Sequence, residues 1–443
     1  MKVDLRKLSI LVFALVFSFG MLAAQDHGQE QSGDSTHEEQ DSHGSEAGHD
    51  EGLAHSYCGG HAEDGEYDPV TTVMEHIADA NEFHVWKGVH IPLPIILYAP
   101  AQGWTTGLSS MFGHGHNAVD GYVLNHGRVN RVADPSFPKG EVHIDGILHR
   151  KETVEKGGKA EEKDVYFACY EGELYKLDKP STVDGGFLGG GITSFYDFSI
   201  TKNVFSMILA SLLLIWLFMA VAKGYKENEG KAPSGIQSFM EVFFVFIRDE
   251  VTKPMIGEKH YERFQPFIMT LFFFIMFINL MGLVPFFPGG ANITGNLAVT
   301  LTLAVFTFLV TNLNGKKDYW EHVFWMPGIP AWVKIILTPV EVLSLFIKPF
   351  SLMIRLFANI SAGHIIILSL IGLVFLFGNN GQSVGGAASG AVIGGLFTAF
   401  MNLIELLVAL LQAFIFAILS ASYIGAAVEE HDHHHDEAHE GAH

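Results

Sequence analysis

Residues 201–428 consist mostly of long apolar runs, and a run of about 20 apolar residues crosses a bilayer as a helix. Five candidate spans follow, at roughly 203–222, 266–288, 296–313, 333–376 and 391–427. The last two are too long for a straight crossing, so each must be tilted, kinked or extended beyond the hydrocarbon. Pro339 and Pro349 lie inside the fourth, where they can bend or start it.

The rest of the chain is of another kind. The net charge of −21 comes largely from the first half and the tail, which argues against a nucleic-acid partner. Residues 1–24 read as a secretory signal. Lys2, Arg6 and Lys7 open it, Leu8 to Met21 form a short apolar core, and Leu22-Ala23-Ala24 is a small-residue cleavage site. An uncleaved first anchor is the alternative. Residues 25–65 are acidic, rich in His and low in complexity, so they cannot bury a core and are expected to be disordered. Their histidines could hold a transition metal weakly, though a solvated tail is the plainer reading. Residues 66–200 carry β-branched and aromatic stretches such as VHIPLPIILYA, EVHIDGILHR and VYFACYEGELYKL between Gly, Asn and Pro turns. They read as a small β-rich unit without a catalytic motif. Cys58 and Cys169 both fall in the segment a signal would export, where a disulfide can form. Residues 429–443 form a second solvated, His-rich tail, with metal sensing as the alternative.

Basic residues orient the spans. Segment 223–265 holds Lys223, Lys226, Lys231, Arg248, Lys253, Lys259 and Arg263, and Lys316 and Lys317 follow the third span. The loops at 289–295 and 377–390 have none. Positive charge marks the cytoplasmic side. The expected fold is thus an all-α polytopic membrane protein of about five transmembrane helices, the last two long and tilted, behind a small, mostly-β extracytoplasmic N-terminal domain. The C-terminus is then cytoplasmic.

Charge inside the apolar half is sparse and ordered. Arg355 interrupts SLFIKPFSLMIRLFANISAGHIIILSL. A guanidinium cannot escape lipid by going neutral, so it normally faces a protein interior or a water-filled cavity. Snorkelling or a structural ion pair is the alternative. Glu341, Lys348 and Arg355 are seven residues apart, so they make one polar stripe that rises about 10 Å per step. Asn359 lies one turn further on the same side. His364 points roughly the other way, about 13 Å beyond Arg355. In the last span Glu405 and Gln412 are again seven apart. If Gln412 lies level with Arg355, Glu405 comes near the depth of His364, so an acid and an imidazole meet on one side of the arginine while Glu341 and Lys348 line the other. Each of these groups alone could be a structural hydrogen-bond partner. Together, in register on adjacent spans, they read as a proton route.

RLFANISAG at 355–363 and LLQAFIFAILSASYI at 410–424 closely resemble the a subunit of rotary F-type ATP synthases, as do PFIMTLFFFIMFINLMGLVP at 266–285 and GNLAVTLTLAVFTF at 295–308. The resemblance covers about 205–427. It implies that Arg355 is the essential arginine facing the ring of c subunits, that Asn359 and Gln412 are its polar neighbours, and that Glu341 lies toward the inner half-channel beside a basic position at Lys348. His364 and Glu405 would occupy the outer half-channel, with acid and imidazole exchanged relative to the best-known bacterial pattern. Gly282 stands where many relatives have Asp. The implied partners are the c-ring, b-type stator subunits, indirectly the F1 sector, and lipid. No cofactor, metal or catalytic residue is implied. A stand-alone proton-coupled transporter is the other class considered, but it usually shows internal repeats, and the sequence has none. An intramembrane metalloenzyme would need an HExxH helix, and none is read in the spans, while the tail histidines lie outside the membrane.

Overall fold

The computed structural model describes residues 78–86, 89–100, 102–132, 134–156, 159–178, 195–284, 287, 289–326, 328–378 and 383–429. The signal-like segment, the acidic segment with Cys58, and the tail from residue 430 lie outside them. Cys169, one of the chain's two cysteines, is disulfide-bonded.

Short antiparallel strands fill the N-terminal region. They are β1 (Glu82–Trp86), β2 (Val89–Pro92), β3 (Pro94–Ala99), β4 (Gly103–Leu108), β5 (Asn117–Val119), β6 (Tyr122–Asn125), β7 (Arg128–Arg131), β8 (Glu141–His143), β9 (Gly146–Lys156), β10 (Lys159–Tyr170), β11 (Glu173–Lys176) and β12 (Tyr196–Asp197). A 3₁₀ turn, Ser109–Gly115, follows β4. The sheets run β1-β2, β12-β3-β4, β7-β6-β5-β8 and β11-β10-β9. Three hairpins close on two residues that both have positive φ: Asp120-Gly121, His126-Gly127 and Glu171-Gly172. This is the turn whose twist matches that of the flanking strands, and glycine enters it without steric cost. Alternation in β3 turns Ile95, Leu97 and Ala99 inward against Phe112, Tyr122 and Phe195.

The C-terminal part is helical: α1 (Lys202–Glu227), α2 (Ile236–Phe246), α3 (Lys253–Ile256), α4 (Tyr261–Leu283), α5 (Leu297–Leu313), α6 (Lys317–Trp325), α7 (Ala331–Phe377) and α8 (Val384–Val428). Among the described residues four helices, α1, α4, α7 and α8, are long and apolar enough to cross a membrane. The number rises to five if α5 and α6, bent by 104° to each other, count as one broken span. At about 1.5 Å per residue, the 47 residues of α7 and the 45 of α8 far exceed a hydrocarbon thickness of about 30 Å. Helix α7 runs unbroken through Pro339 and Pro349. The basic connection 223–265 is not merely a loop, since α2, a π-helical stretch at Ile247–Thr252 and α3 occupy its middle, 236–256. Phe239, Met240, Phe243, Phe244 and Ile247 recur at helical spacing, and Met240 and Ile247 are buried. The surrounding lysines and arginines obscured that pattern.

The β region is tied to the bundle at the start of α1. The Lys202 amide donates to the Ala80 carbonyl at 2.8 Å, and the Asn203 amide to Asp79 Oδ1 at 3.1 Å. Asp79 thereby satisfies an N-terminal amide that the helix cannot pair itself. Burial pushes the Asp79 carboxyl above the usual range, and the nearby Arg128 opposes that shift. Phe83 of β1 meets Phe205 of α1 and Phe287 of the α4–α5 connection edge-to-face at 5.6 and 5.2 Å. The β region therefore sits at the end of the bundle where α1, α5 and α8 begin and α4 and α7 finish.

A row of glycines lets α8 lie close on α7. A Cβ on Gly390 or Gly394 would stand 2.8 Å from the Leu373 carbonyl oxygen or 2.7 Å from that of Leu370, and one on Gly386 would collide with Phe377 O. Spacing of four keeps all three on one face, the small-residue packing favoured between membrane helices. The neighbouring Gly395 has open space around it. Gly394→Ala is expected to destabilise the detergent-solubilised protein by about 1–3 kcal/mol through overpacking. Gly395→Ala should be neutral or stabilising by up to about 1 kcal/mol, as alanine is the better helix former. Thermal unfolding midpoints decide it, and equal shifts in the two variants would refute close packing at Gly394.

Candidate functional site

The site lies along the antiparallel pair α7 and α8, with α4 and α5 behind it. Nine residues past Arg355 on α7, His364 places Nδ1 2.7 Å from Oε1 of Glu405 on α8. Glu405 is buried and His364 largely so. Two glycines adjoin the pair. A Cβ on Gly363 would stand 2.8 Å from Glu405 Oε1, so the carboxylate occupies the space that a side chain would take. A Cβ on Gly282 of α4 would lie 3.8 Å from the His364 ring, which places Gly282 directly beside the pair. Oε2 of Glu405 is buried and makes no protein hydrogen bond among the described residues.

Behind the pair, α4 is pinned by buried polar groups. Asn279 Oδ1 accepts from the Thr294 hydroxyl at 2.8 Å, and its amide donates to the Ala409 carbonyl, one turn from Glu405, at 3.4 Å. Sequence reasoning passed over Asn279 and Thr294. The available signal was one amide inside the apolar run FFFIMFINLMG, where a polar group needs a partner.

The His364–Glu405 contact fixes the register of the two helices. Arg355 lies nine residues from His364, and Gln412 seven from Glu405 in the matching direction. At about 1.5 Å per residue the two come level within roughly 3 Å. Gln412 is buried, Arg355 is half-buried, and Asn359 is exposed on the outer face of α7. Arg355 makes no ion pair among the described residues, while its charge reaches Tyr423 of α8.

Beyond Arg355, toward the end away from the β region, Lys348 places its ammonium 5.6 Å from the centre of the Tyr423 ring. Lys348 and Tyr423 line a small pocket with Thr307, Thr311, Asn312 and Tyr319. The Tyr319 hydroxyl donates to Asn312 Oδ1 at 3.2 Å. Glu341, two turns further, is half-buried, and its charge reaches Tyr319. The two tyrosines were not singled out in the sequence because aromatic residues are common in apolar helices. Polar, titratable groups thus flank Arg355 on both sides along α7. A hydrogen-bonded imidazole and carboxylate can hold and pass a proton, whereas a guanidinium stays charged and cannot relay one.

The family model of the ATP synthase A chain matches residues 204–425. A second model, a domain of unknown function (DUF8433), matches residues 72–155 in the β region. Among curated proteins, ATP synthase subunit a of Chlorobium phaeobacteroides (strain BS1) is 45% identical over 207 residues, covering 45% of this chain and 57% of that protein. ATP synthase subunit a 2 of Prosthecochloris aestuarii is 41% identical over 255 residues, or 55% of this chain and 73% of its own. ATP synthase subunit a of Anaeromyxobacter dehalogenans is 35% identical over 284 residues, 58% of this chain and 72% of its own. The first two relatives matched are covered over little more than half their length, 57% and 55%. With half of its residues matched by that family's model, and with its succession of membrane-length helices, this multi-pass membrane protein belongs to the ATP synthase A chain family.

Proposed function

We propose that the chain acts as subunit a of the F0 sector of a rotary ATP synthase, carrying protons to and from a ring of c subunits through two offset half-channels. Protons enter from the side of the β region past His364 and Glu405 and neutralise a ring carboxylate, which can then face lipid. After nearly a full rotation the carboxylate releases its proton toward Lys348 and Glu341. Arg355, with Gln412 and Asn359 beside it, pairs with the ionised carboxylate and blocks a direct leak. Each charge moved down the potential yields about 2.3 kcal/mol per 100 mV. The chain performs no covalent chemistry, and its partners are the c-ring, b-type stator subunits and, through them, the F1 sector. The supporting observation is the hydrogen-bonded His364–Glu405 pair on one side of Arg355, with the Lys348–Tyr423 group on the other. The exposed apolar side chains along α7 and α8, among them Leu343, Phe346, Phe350, Phe400, Leu403 and Leu407, suit a ring packed against that face. Affinity purification of the chain from mild detergent tests the assignment. A ring of c subunits and F1 should come with it, and isolation without a ring would point to a stand-alone transporter.

The orientation follows from the same proposal. The β region faces the exterior, and the chain sits in the cell membrane of a bacterium with its C-terminus in the cytoplasm. Protease added to right-side-out spheroplasts should cut the N-terminal 200 residues and spare the helices. Cleavage only in inverted vesicles would reverse the topology.

A further inference from the structure

Outside the helices, three side chains from separate parts of the β region converge. Glu82 lies on β1 and His90 on β2. The register pairs Glu82 with Pro92, so Glu82 and His90 are diagonal neighbours on one face of the hairpin. His114 is the penultimate residue of the 3₁₀ turn. Glu82 Oε1 lies 3.4 Å from His90 Nδ1, and Oε2 lies 3.2 Å from His114 Nδ1. The two imidazoles are 4.0 Å apart between centres. One ligand atom from each residue can be chosen so that all lie within 4.8 Å of one another.

We infer that Glu82, His90 and His114 form a binding site for a zinc-class divalent cation. Two imidazoles and a carboxylate are the donors that zinc prefers. A tetrahedral ion with bonds of about 2.0–2.1 Å sets neighbouring donors about 3.3 Å apart, and Glu82 keeps 3.4 Å from His90 through Oε1 and 3.2 Å from His114 through Oε2. Burial grades from Glu82, nearly enclosed, to His114, half exposed, so an ion can enter from solvent and keep a water as fourth ligand. The backbone fixes where His114 points. His114 holds φ 58°, between Gly113 at 52° and Gly115 at 91°. A side-chain-bearing residue in this left-handed region costs about 1–2 kcal/mol. Gly115 is wedged against the Leu124 carbonyl, where a Cβ would stand at 2.8 Å, so the fold keeps the turn that aims His114 at Glu82. An ion here would fasten the β1–β2 hairpin to the 3₁₀ turn. Phe83, the next residue, carries the contact to α1 and the α4–α5 connection.

The test uses the full chain in its purified complex, stripped with EDTA, loaded with zinc against a weak competing chelator and desalted. Zinc per chain is then counted by mass spectrometry for wild type, Glu82→Gln and His114→Ala. Wild type should hold one equivalent more than either variant, and zinc should raise the thermal midpoint of the β region in wild type alone. The His-rich termini are the same in all three proteins and cancel. Glutamine keeps the shape of Glu82 and can still hydrogen-bond the imidazoles, and His114 is half exposed, so neither change threatens folding. Equal zinc content in all three, or a wild type that retains none, overturns the site and leaves a Glu–His hydrogen-bonded cluster.

Discussion

Membranes carrying Arg355→Ala will assemble the complex and fail to make ATP from a proton gradient. The guanidinium is the one group in the polar stripe of α7 that cannot change protonation state within the physiological range. It stands between two titratable clusters and has no ion-pair partner among the described residues, so its charge is available to a carboxylate on another subunit. Removing it deletes both the attraction for that carboxylate and the barrier to a direct leak. Synthesis should fall to background, and passive proton conductance through F0 stripped of F1 should rise. Arg355→Lys retains a charge without the planar two-pronged donor and should recover little. Native gels establish assembly, and acid–base-driven synthesis in proteoliposomes gives the rate. Normal synthesis by an assembled Arg355→Ala complex would remove the basis of the proposed mechanism.

The second large effect is expected at the outer pair. His364→Ala leaves the buried Glu405 without its imidazole, and Glu405→Ala leaves His364 without its carboxylate. Removing one side of this buried pair leaves the other without its hydrogen-bond partner, at a cost of about 1–3 kcal/mol. Either variant should slow proton uptake at least tenfold. The double alanine variant should be little slower than the worse single one, with a coupling of about 0.5–3 kcal/mol, since both residues serve one step. The exchange His364→Glu with Glu405→His should outperform each of its component single changes. The exchange keeps one acid and one imidazole in the slot between Gly363 and Gly282. Strict additivity with no rescue would separate the two residues functionally despite their 2.7 Å contact.

How much of this was legible in the sequence depended on the reach of each signal. Apolar length located the membrane helices to within a few residues at most ends, because lipid demands length whatever the neighbours are. Helical arithmetic brought His364 and Glu405 to one depth, since both lie on long helices whose rise per residue is fixed. The bend of 104° between α5 and α6 escaped, as did the folding of 236–256 into helix, because charges there outweighed a five-residue apolar pattern. The β sheets were recognised as β but not ordered, since strand pairing is set by contacts distant in sequence. The same holds for Glu82, His90 and His114, which are scattered in the sequence and meet only through the β1–β2 register and a left-handed turn.

The glycine row on α8 also bears on the order in which the chain enters a membrane. Helix α7 is synthesised first and carries Glu341, Lys348, Arg355 and His364, each costly in lipid without company, about 2.5–3.5 kcal/mol for a central Arg or Lys. Its imidazole acquires a carboxylate only when α8 folds back, and Gly386, Gly390 and Gly394 are what allow that return stroke to lie flush. The two helices thus settle most readily as a single hairpin. Chains stopped after residue 378, still anchored by α1 and α4, should leave α7 open to added protease, while chains reaching residue 428 should protect it.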